Sequence, residues 1–331
     1  MGPGRRRARA RACRRRHPFT RPLRGHAGGM TTTTSQVRTD DGAELHVETD
    51  HVPSSPLSVV LVHGFTADLE EFALQRETLR GRATTVLYDC RGHGRSRQGP
   101  VRNASIDQLG RDLGAVLDQA VPAGPVVLLG HSMGGMTIMA LARQRPELFG
   151  PRVAGAFLLA TSSGGLVEKG AVGLAVRVLR RLGLLQLYLA LFALWAPLLE
   201  RFRVRGSRLG RAYFRRYLFG TDDATPETVR QVQDLLEQTP FPVMAAFYST
   251  LLDHDEQASL HVMQAIPVTL LVGDADRLTP VSHSRRMALA LPDAELVVVP
   301  GAGHSVNITR RAVVDDALLR LLDRTRQAQA A

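Results

Sequence analysis

Six short, largely apolar runs, at residues 57–62, 84–88, 125–129, 153–159, 268–272 and 296–299, recur between stretches whose apolar residues fall at helical spacing. Runs this short that are apolar at consecutive positions suit strands covered on both faces, as in a parallel sheet. The stretches between them, at 69–79, 106–119, 133–144, 282–290 and 311–326, have the length and periodicity of crossover helices. Such alternation implies an α/β chain built on a mostly parallel, doubly wound sheet, with functional groups at the carboxyl ends of its strands. Ahead of these runs, 35–38 and 44–49 read as two strands joined by Asp40-Asp41-Gly42, whose glycine tolerates positive φ. They predict an antiparallel hairpin at the sheet edge.

The rhythm breaks between 162 and 265, where about a hundred residues separate consecutive strands, far more than a crossover helix needs. Residues 35–161 and 266–331 are therefore read as the core, 162–265 as an inserted helical cap, and 1–34 as a disordered Arg-rich tail. Within the cap, 225–236 reads as a polar helix preceded by Asp222 and Asp223, and 182–199 is free of charge for 18 residues. That length reaches the range of a membrane span. A single crossing, however, would put the first four parallel strands and the last two on opposite sides of the bilayer, although they must hydrogen-bond in one sheet. The run is left as an apolar helix packed over the site, or one that also enters a lipid interface as a peripheral contact. Pro197 and the flanking Arg180, Arg181 and Arg201 suit both readings.

The net charge of +11 invites a nucleic-acid reading, but residues 1–29 hold ten arginines and no acid, which leaves about +1 for the rest. A nucleic-acid footprint needs its basic residues on a folded face, so no nucleic-acid partner is expected. The tail has no apolar run of the kind an exported leader needs, and Met30 is read as the natural start. Of two cysteines, Cys13 lies in the tail and Cys90 follows a strand, so neither a disulfide framework nor a metal cluster can be drawn. A cytoplasmic setting fits, and no cofactor is implied because no Gly-rich turn has the dinucleotide pattern in its strand-helix context.

Gly130-His131-Ser132-Met133-Gly134 is a G-x-S-x-G sequence directly after the apolar run ending at Leu129 and at the head of a helical stretch. That strand-turn-helix context is what a nucleophile elbow requires, and the tight turn needs the small residues Gly130, Gly134 and Gly135 around the serine. Gly-His-Ser-Met-Gly-Gly resembles the elbow of α/β-hydrolases, in particular the esterase, monoacylglycerol-lipase-like and lysophospholipase-like branches, and the resemblance runs from about residue 35 onward. It implies Ser132 as nucleophile.

Three further segments resemble that family in order. His63-Gly64-Phe65 is similar to the segment that supplies one oxyanion donor, which implies the backbone N–H of Phe65 for that role and the N–H of Met133 as its partner. The His63 side chain is read as structural. Asp89-Cys90-Arg91-Gly92-His93-Gly94-Arg95-Ser96 is similar to a loop of architectural role, so Asp89 is set aside as the acid. Gly273-Asp274-Ala275-Asp276 resembles the acid loop and implies Asp276, with Asp274 as the fallback. Gly301-Ala302-Gly303-His304 resembles the loop carrying the base. The chain order Ser132, Asp276, His304 is the order of this fold.

The resemblance implies acyl transfer to water through an acyl-enzyme. A Leu-rich cap segment, with Leu184, Leu185, Leu187, Tyr188, Leu189, Leu191, Phe192 and Trp195, is expected to line a greasy access route and so to favour small lipophilic esters. Two alternatives stand beside this: a carbon–carbon hydrolase of dienoate ring-cleavage products using the same three residues, and a catalytically silent module binding a ligand under the cap. Oligomeric state is not legible.

Overall fold

The computed structural model describes residues 31–121, 123–166, 170–203, 206–221 and 224–330. The Arg-rich stretch up to Met30, with Cys13, and the pair Asp222 and Asp223 lie outside the described residues. Eight strands form one sheet: β1 (Thr31–Arg38), β2 (Glu44–His51), β3 (Ser58–Val62), β4 (Thr84–Tyr88), β5 (Val126–His131), β6 (Val153–Leu159), β7 (Val268–Gly273) and β8 (Glu295–Val299), in the spatial order β1-β2-β4-β3-β5-β6-β7-β8. β1 pairs antiparallel with β2, and β2 antiparallel with β4; every pairing from β4 across to β8 is parallel. The expected mostly parallel sheet with an antiparallel N-terminal pair is therefore present.

The edge hairpin is longer than its sequence pattern suggests. β1 starts at Thr31, so residues 31–34, read as the end of the tail, belong to the sheet; Thr31 pairs with His51 and the Thr32 hydroxyl donates to Asp50 at 2.7 Å. β-Branched threonines suit an exposed edge strand, but they lack the apolar alternation that marks a strand in sequence.

Side chains alternate across the pleat, as they must at a period of two. Val60 and Val62 face one core with Leu113 and Met139, whereas Val59 and Leu61 face the other with Leu79 and Leu318. The first core is closed by α2 (Ile106–Ala120), α3 (Met133–Gln144) and α9 (Val281–Ala290); the second by α1 (Ala73–Leu79) and α11 (Arg311–Ala330), which follows the short α10 (Val306–Thr309). The stretch read as one helix over 69–79 is split into a 3₁₀ turn, Leu69–Phe72, and α1, because Phe72 adopts φ −100°, ψ 18°. Asp68 caps the 3₁₀ turn by accepting from Glu70 N–H.

Between β6 and β7 lie α4 (Gly170–Arg181), α5 (Leu185–Arg201), α6 (Arg208–Leu218), α7 (Pro226–Leu236) and α8 (Phe241–Asp253). The ends of this insertion are fastened together: Gly164 bridges Asp255, Glu256 N–H donates to the Ser163 carbonyl at 2.7 Å, and His254 Nε2 meets the Ser162 carbonyl at 3.0 Å. The charge-free run 182–199 is not one rod. Gly183, at φ 68°, turns the chain between α4 and α5, and no helix among the described residues is long and apolar enough to cross a membrane. α7 is capped by Thr225, which accepts from Thr228 N–H, with Pro226 in the first helical turn where its missing N–H costs nothing.

Candidate active site

The sheet order puts the carboxyl ends of β5, β7 and β8 on one rim, each followed by a loop carrying one of the expected residues. Ser132 stands between β5 and α3 at φ 52°, ψ −115°, a conformation side-chain-bearing residues avoid. The surroundings enforce it. Ser132 N–H donates to the Leu159 carbonyl at 2.9 Å, and its own carbonyl accepts from the Thr161 hydroxyl at 2.7 Å. A Cβ on Gly134 would stand 1.9 Å from the Val62 carbonyl oxygen, and one on Gly130 2.5 Å from Gly134 backbone, so close approach demands glycine at both.

His304 and Asp276 meet at 2.8 Å, Nδ1 to Oδ2, both almost fully buried. Asp276 is fixed from three more directions: Leu278 N–H and Thr279 N–H donate to Oδ1 at 2.8 and 2.9 Å, and the Thr279 hydroxyl donates to Oδ2 at 2.8 Å. Burial would push this carboxyl up, but the His304 ring and the Thr279 donors outweigh it and hold it below the ordinary carboxylate range. With Nδ1–H given to a carboxylate, the basic lone pair of a neutral His304 is on Nε2. The loop carrying His304 is itself held against the insertion, with Ser305 N–H on the Leu218 carbonyl at 2.8 Å and Ala302 bridging Gly220.

The residues read as architectural serve the backbone. Asp274, the fallback acid, accepts from Gly301 N–H at 2.7 Å. Asp89 takes the N–H groups of Leu69 and Arg95 at 2.9 and 2.8 Å. His63 accepts from Cys90 N–H through Nε2 at 2.8 Å while Nδ1 meets the Gly64 carbonyl, so it fastens the β3 loop to the β4 loop. Arg91, fully buried, makes a two-pronged pair with Asp112 at 2.6 and 2.7 Å and reaches Asp41 in the hairpin turn.

Of the backbone groups expected as oxyanion donors, Met133 is the first residue of α3, where no intrahelical carbonyl meets its N–H. Phe65 follows Gly64, which approaches the elbow so closely that a Cβ there would be 2.9 Å from His131 Nδ1 and 3.4 Å from Ser132 Cβ.

Sequence reasoning missed the pair that joins these parts. Glu71 and His131 are buried 2.9 Å apart, and the second Glu71 oxygen accepts Gly64 N–H at 2.8 Å. His131 Nε2 meets the His304 carbonyl at 3.1 Å and its ring lies 4.8 Å from the His304 ring, centre to centre. Both imidazole nitrogens thus face acceptors, the arrangement of a doubly protonated ring. Burial opposes the charges, but mutual attraction wins: Glu71 is held below its usual range and His131 above its own. The x position of G-x-S-x-G and an acid in a helical stretch carry no mark of this contact in sequence.

The expected greasy lining is corrected by the structure. Leu184, Leu187, Tyr188, Leu191 and Trp195 are exposed, and only Leu185 and Leu189 of the named residues are buried. α5 is apolar nearly all round, and such a helix does not declare in sequence which face it buries. The apolar wall beside the loop after β3 comes from α8 instead: Phe247 packs on Phe65 and on His93 at ring separations of 6.5 and 5.7 Å. Burial lowers His93 to about 3, so it joins this wall as a neutral ring.

Residues 59–317 match the model of the alpha/beta hydrolase family. The chain belongs to that family. Hydrolase chemistry is what this membership supports. The chain is 27% identical over 269 residues to the dihydrolipoyllysine-residue acetyltransferase component of an acetoin cleaving system of Pseudomonas putida, a match covering 80% of this chain and 63% of that protein's length. It is 26% identical to a putative carbamate hydrolase of Caulobacter, over 87% of this chain and 98% of that one. A thermophilic esterase from Thermogutta terrifontis superposes with a TM-score of 0.69 at 24% identity, covering 88% of this chain and 99% of the esterase.

Proposed function

We propose that this family member hydrolyses carboxylic esters of lipophilic substrates through Ser132, His304 and Asp276. The observation that carries the reading is the Asp276–His304 contact at 2.8 Å, at the ends of neighbouring strands, on the same rim as a serine held at positive φ. His304 Nε2 takes the Ser132 proton as the hydroxyl attacks the carbonyl, Asp276 stabilises the imidazolium, and His304 then protonates the leaving alcohol. Water repeats the cycle on the acyl-enzyme. Negative charge on the tetrahedral intermediate falls to the N–H groups of Phe65 and Met133; loss of one such donor costs roughly 3 kcal/mol.

The lipophilic preference is supported by Phe65 and Phe247, a desolvated apolar wall against the oxyanion loop. The Thr239 hydroxyl on the Thr66 carbonyl at 2.9 Å couples the same loop to the insertion, which supports reading residues 162–265 as a cap over the site. Hydrolysis rates across p-nitrophenyl esters of increasing acyl length test this: kcat/KM should rise from acetate to medium chains, and a sharp preference for acetate would overturn the lipophilic reading. A cytoplasmic location, with no nucleic-acid partner, remains part of this proposal.

A further inference from the structure

The outward side of α5 is an apolar surface with no cover among the described residues. One stripe of the helix, Leu185, Leu189 and Ala196, is buried, and the first two pack with Val176 of α4 and Tyr248 and Leu252 of α8. The opposite stripe, at spacings of three and four, presents Leu187, Tyr188, Leu191, Leu194, Trp195 and Leu198 to solvent; Leu194 is 71% and Trp195 53% exposed. Scattered apolar residues are normal on a surface, but a continuous stripe on a helix is not. The chain on either side of it is basic: residues 170–221 carry ten arginines and one acid, Glu200, with Arg180 paired to Asp253 and Arg203 to Glu200. Exposed Arg181 and Arg201 close the ends of α4 and α5 at either side of the apolar stretch.

We propose that this face docks the protein on an anionic lipid bilayer, with α5 lying in the plane of the headgroups. An apolar stripe bearing Trp and Tyr, with an exposed arginine at each end, has the chemistry of an interfacial helix. A second copy of the chain fits less well, because stacking two such faces sets arginine against arginine. Docking there would put the lipid surface one helix away from the oxyanion loop, since α8 packs on α5 through Tyr248 and Leu252 and on Phe65 through Phe247. The proposal is independent of the ester reading, and its test needs no turnover.

Trp195 is the chain's single tryptophan, so its fluorescence reports this face alone. The full chain is mixed with vesicles of phosphatidylcholine, or of phosphatidylcholine with phosphatidylglycerol, at low and high salt, and is also run lipid-free in sedimentation velocity. Anionic vesicles should shift Trp195 emission to the blue, bromine-labelled acyl chains should quench it, and salt should weaken both. Arg181→Gln and Arg201→Gln should each lower partitioning roughly fivefold, and Leu191→Ser with Leu194→Ser by at least about tenfold. All four positions are exposed, so these variants should fold. Absence of binding to anionic vesicles would overturn the proposal. So would equal, salt-insensitive binding to neutral ones, or lipid-free self-association that already shields Trp195, which would assign the face to a second copy.

Discussion

At Ser132 a side chain occupies backbone space that disfavours it, and the cost is held there by glycines that no other residue can replace. Strain of this kind, about 1–3 kcal/mol per residue, persists where the surrounding structure over-determines it. Glu71 and His131 belong to that enforcement: one carboxylate holds Gly64 of the loop after β3 and the histidine beside the serine, which in turn holds the His304 carbonyl. Glu71→Gln should therefore lower kcat up to about a hundredfold through misplacement, with KM little changed, in steady-state assays. It should also cost about 3–5 kcal/mol of stability by stranding a buried partner. The Glu71 contribution is lost as pH falls through its lowered folded pKa, and that of His131 as pH rises through its raised one. The melting-temperature gap to the wild type should be widest between about pH 4.5 and 6.5, and a pH-independent gap would contradict the charged pair. Ser132, Asp276 and His304 were legible as candidates because each follows an apolar run closely, with glycine in the loop that carries it. The Glu71–His131 contact, 60 positions apart, has no such punctuation.

Among the elements, the 3₁₀ turn at Leu69–Phe72 carries an unusual load. Its cap, Asp68, is buried beside Asp89, and burial together with that neighbouring charge raises its carboxyl to about 7. A raised carboxyl pKa contributes stability below the ordinary value of 3.8, lost as pH rises toward 7. Asp68→Asn keeps an acceptor for Glu70 N–H without the charge. Thermal denaturation should show no gain at pH 4 and a gain of at most about 4 kcal/mol above pH 7. A loss of stability at high pH would contradict the buried-carboxyl origin. The strands and core helices were legible to within a few residues, since β6, α3 and β4 have the bounds that their apolar patterns give. α5 was legible as an apolar stretch and not as a surface, because direction is set by α8, which lies some fifty residues further along the chain.

Over the whole molecule, the strand order brings the end of β5 to one rim with those of β7 and β8, which lie more than a hundred residues further along the chain, while the insertion is clamped at Gly164 and Asp255 and reaches back to the loop after β3 through Thr239 and Phe247. The alternation of runs and helices was enough to foresee the sheet. The packing of the insertion was not foreseeable, because its helices are placed by contacts with distant loops and not by periodicity. The most direct test of the site is covalent labelling with a fluorophosphonate, read by intact mass and peptide mapping. One adduct per chain is expected, on Ser132, absent in Ser132→Ala and slowed by several orders of magnitude in His304→Ala. A folded wild-type protein that stays unlabelled, or one labelled at another serine, would contradict Ser132 as the nucleophile.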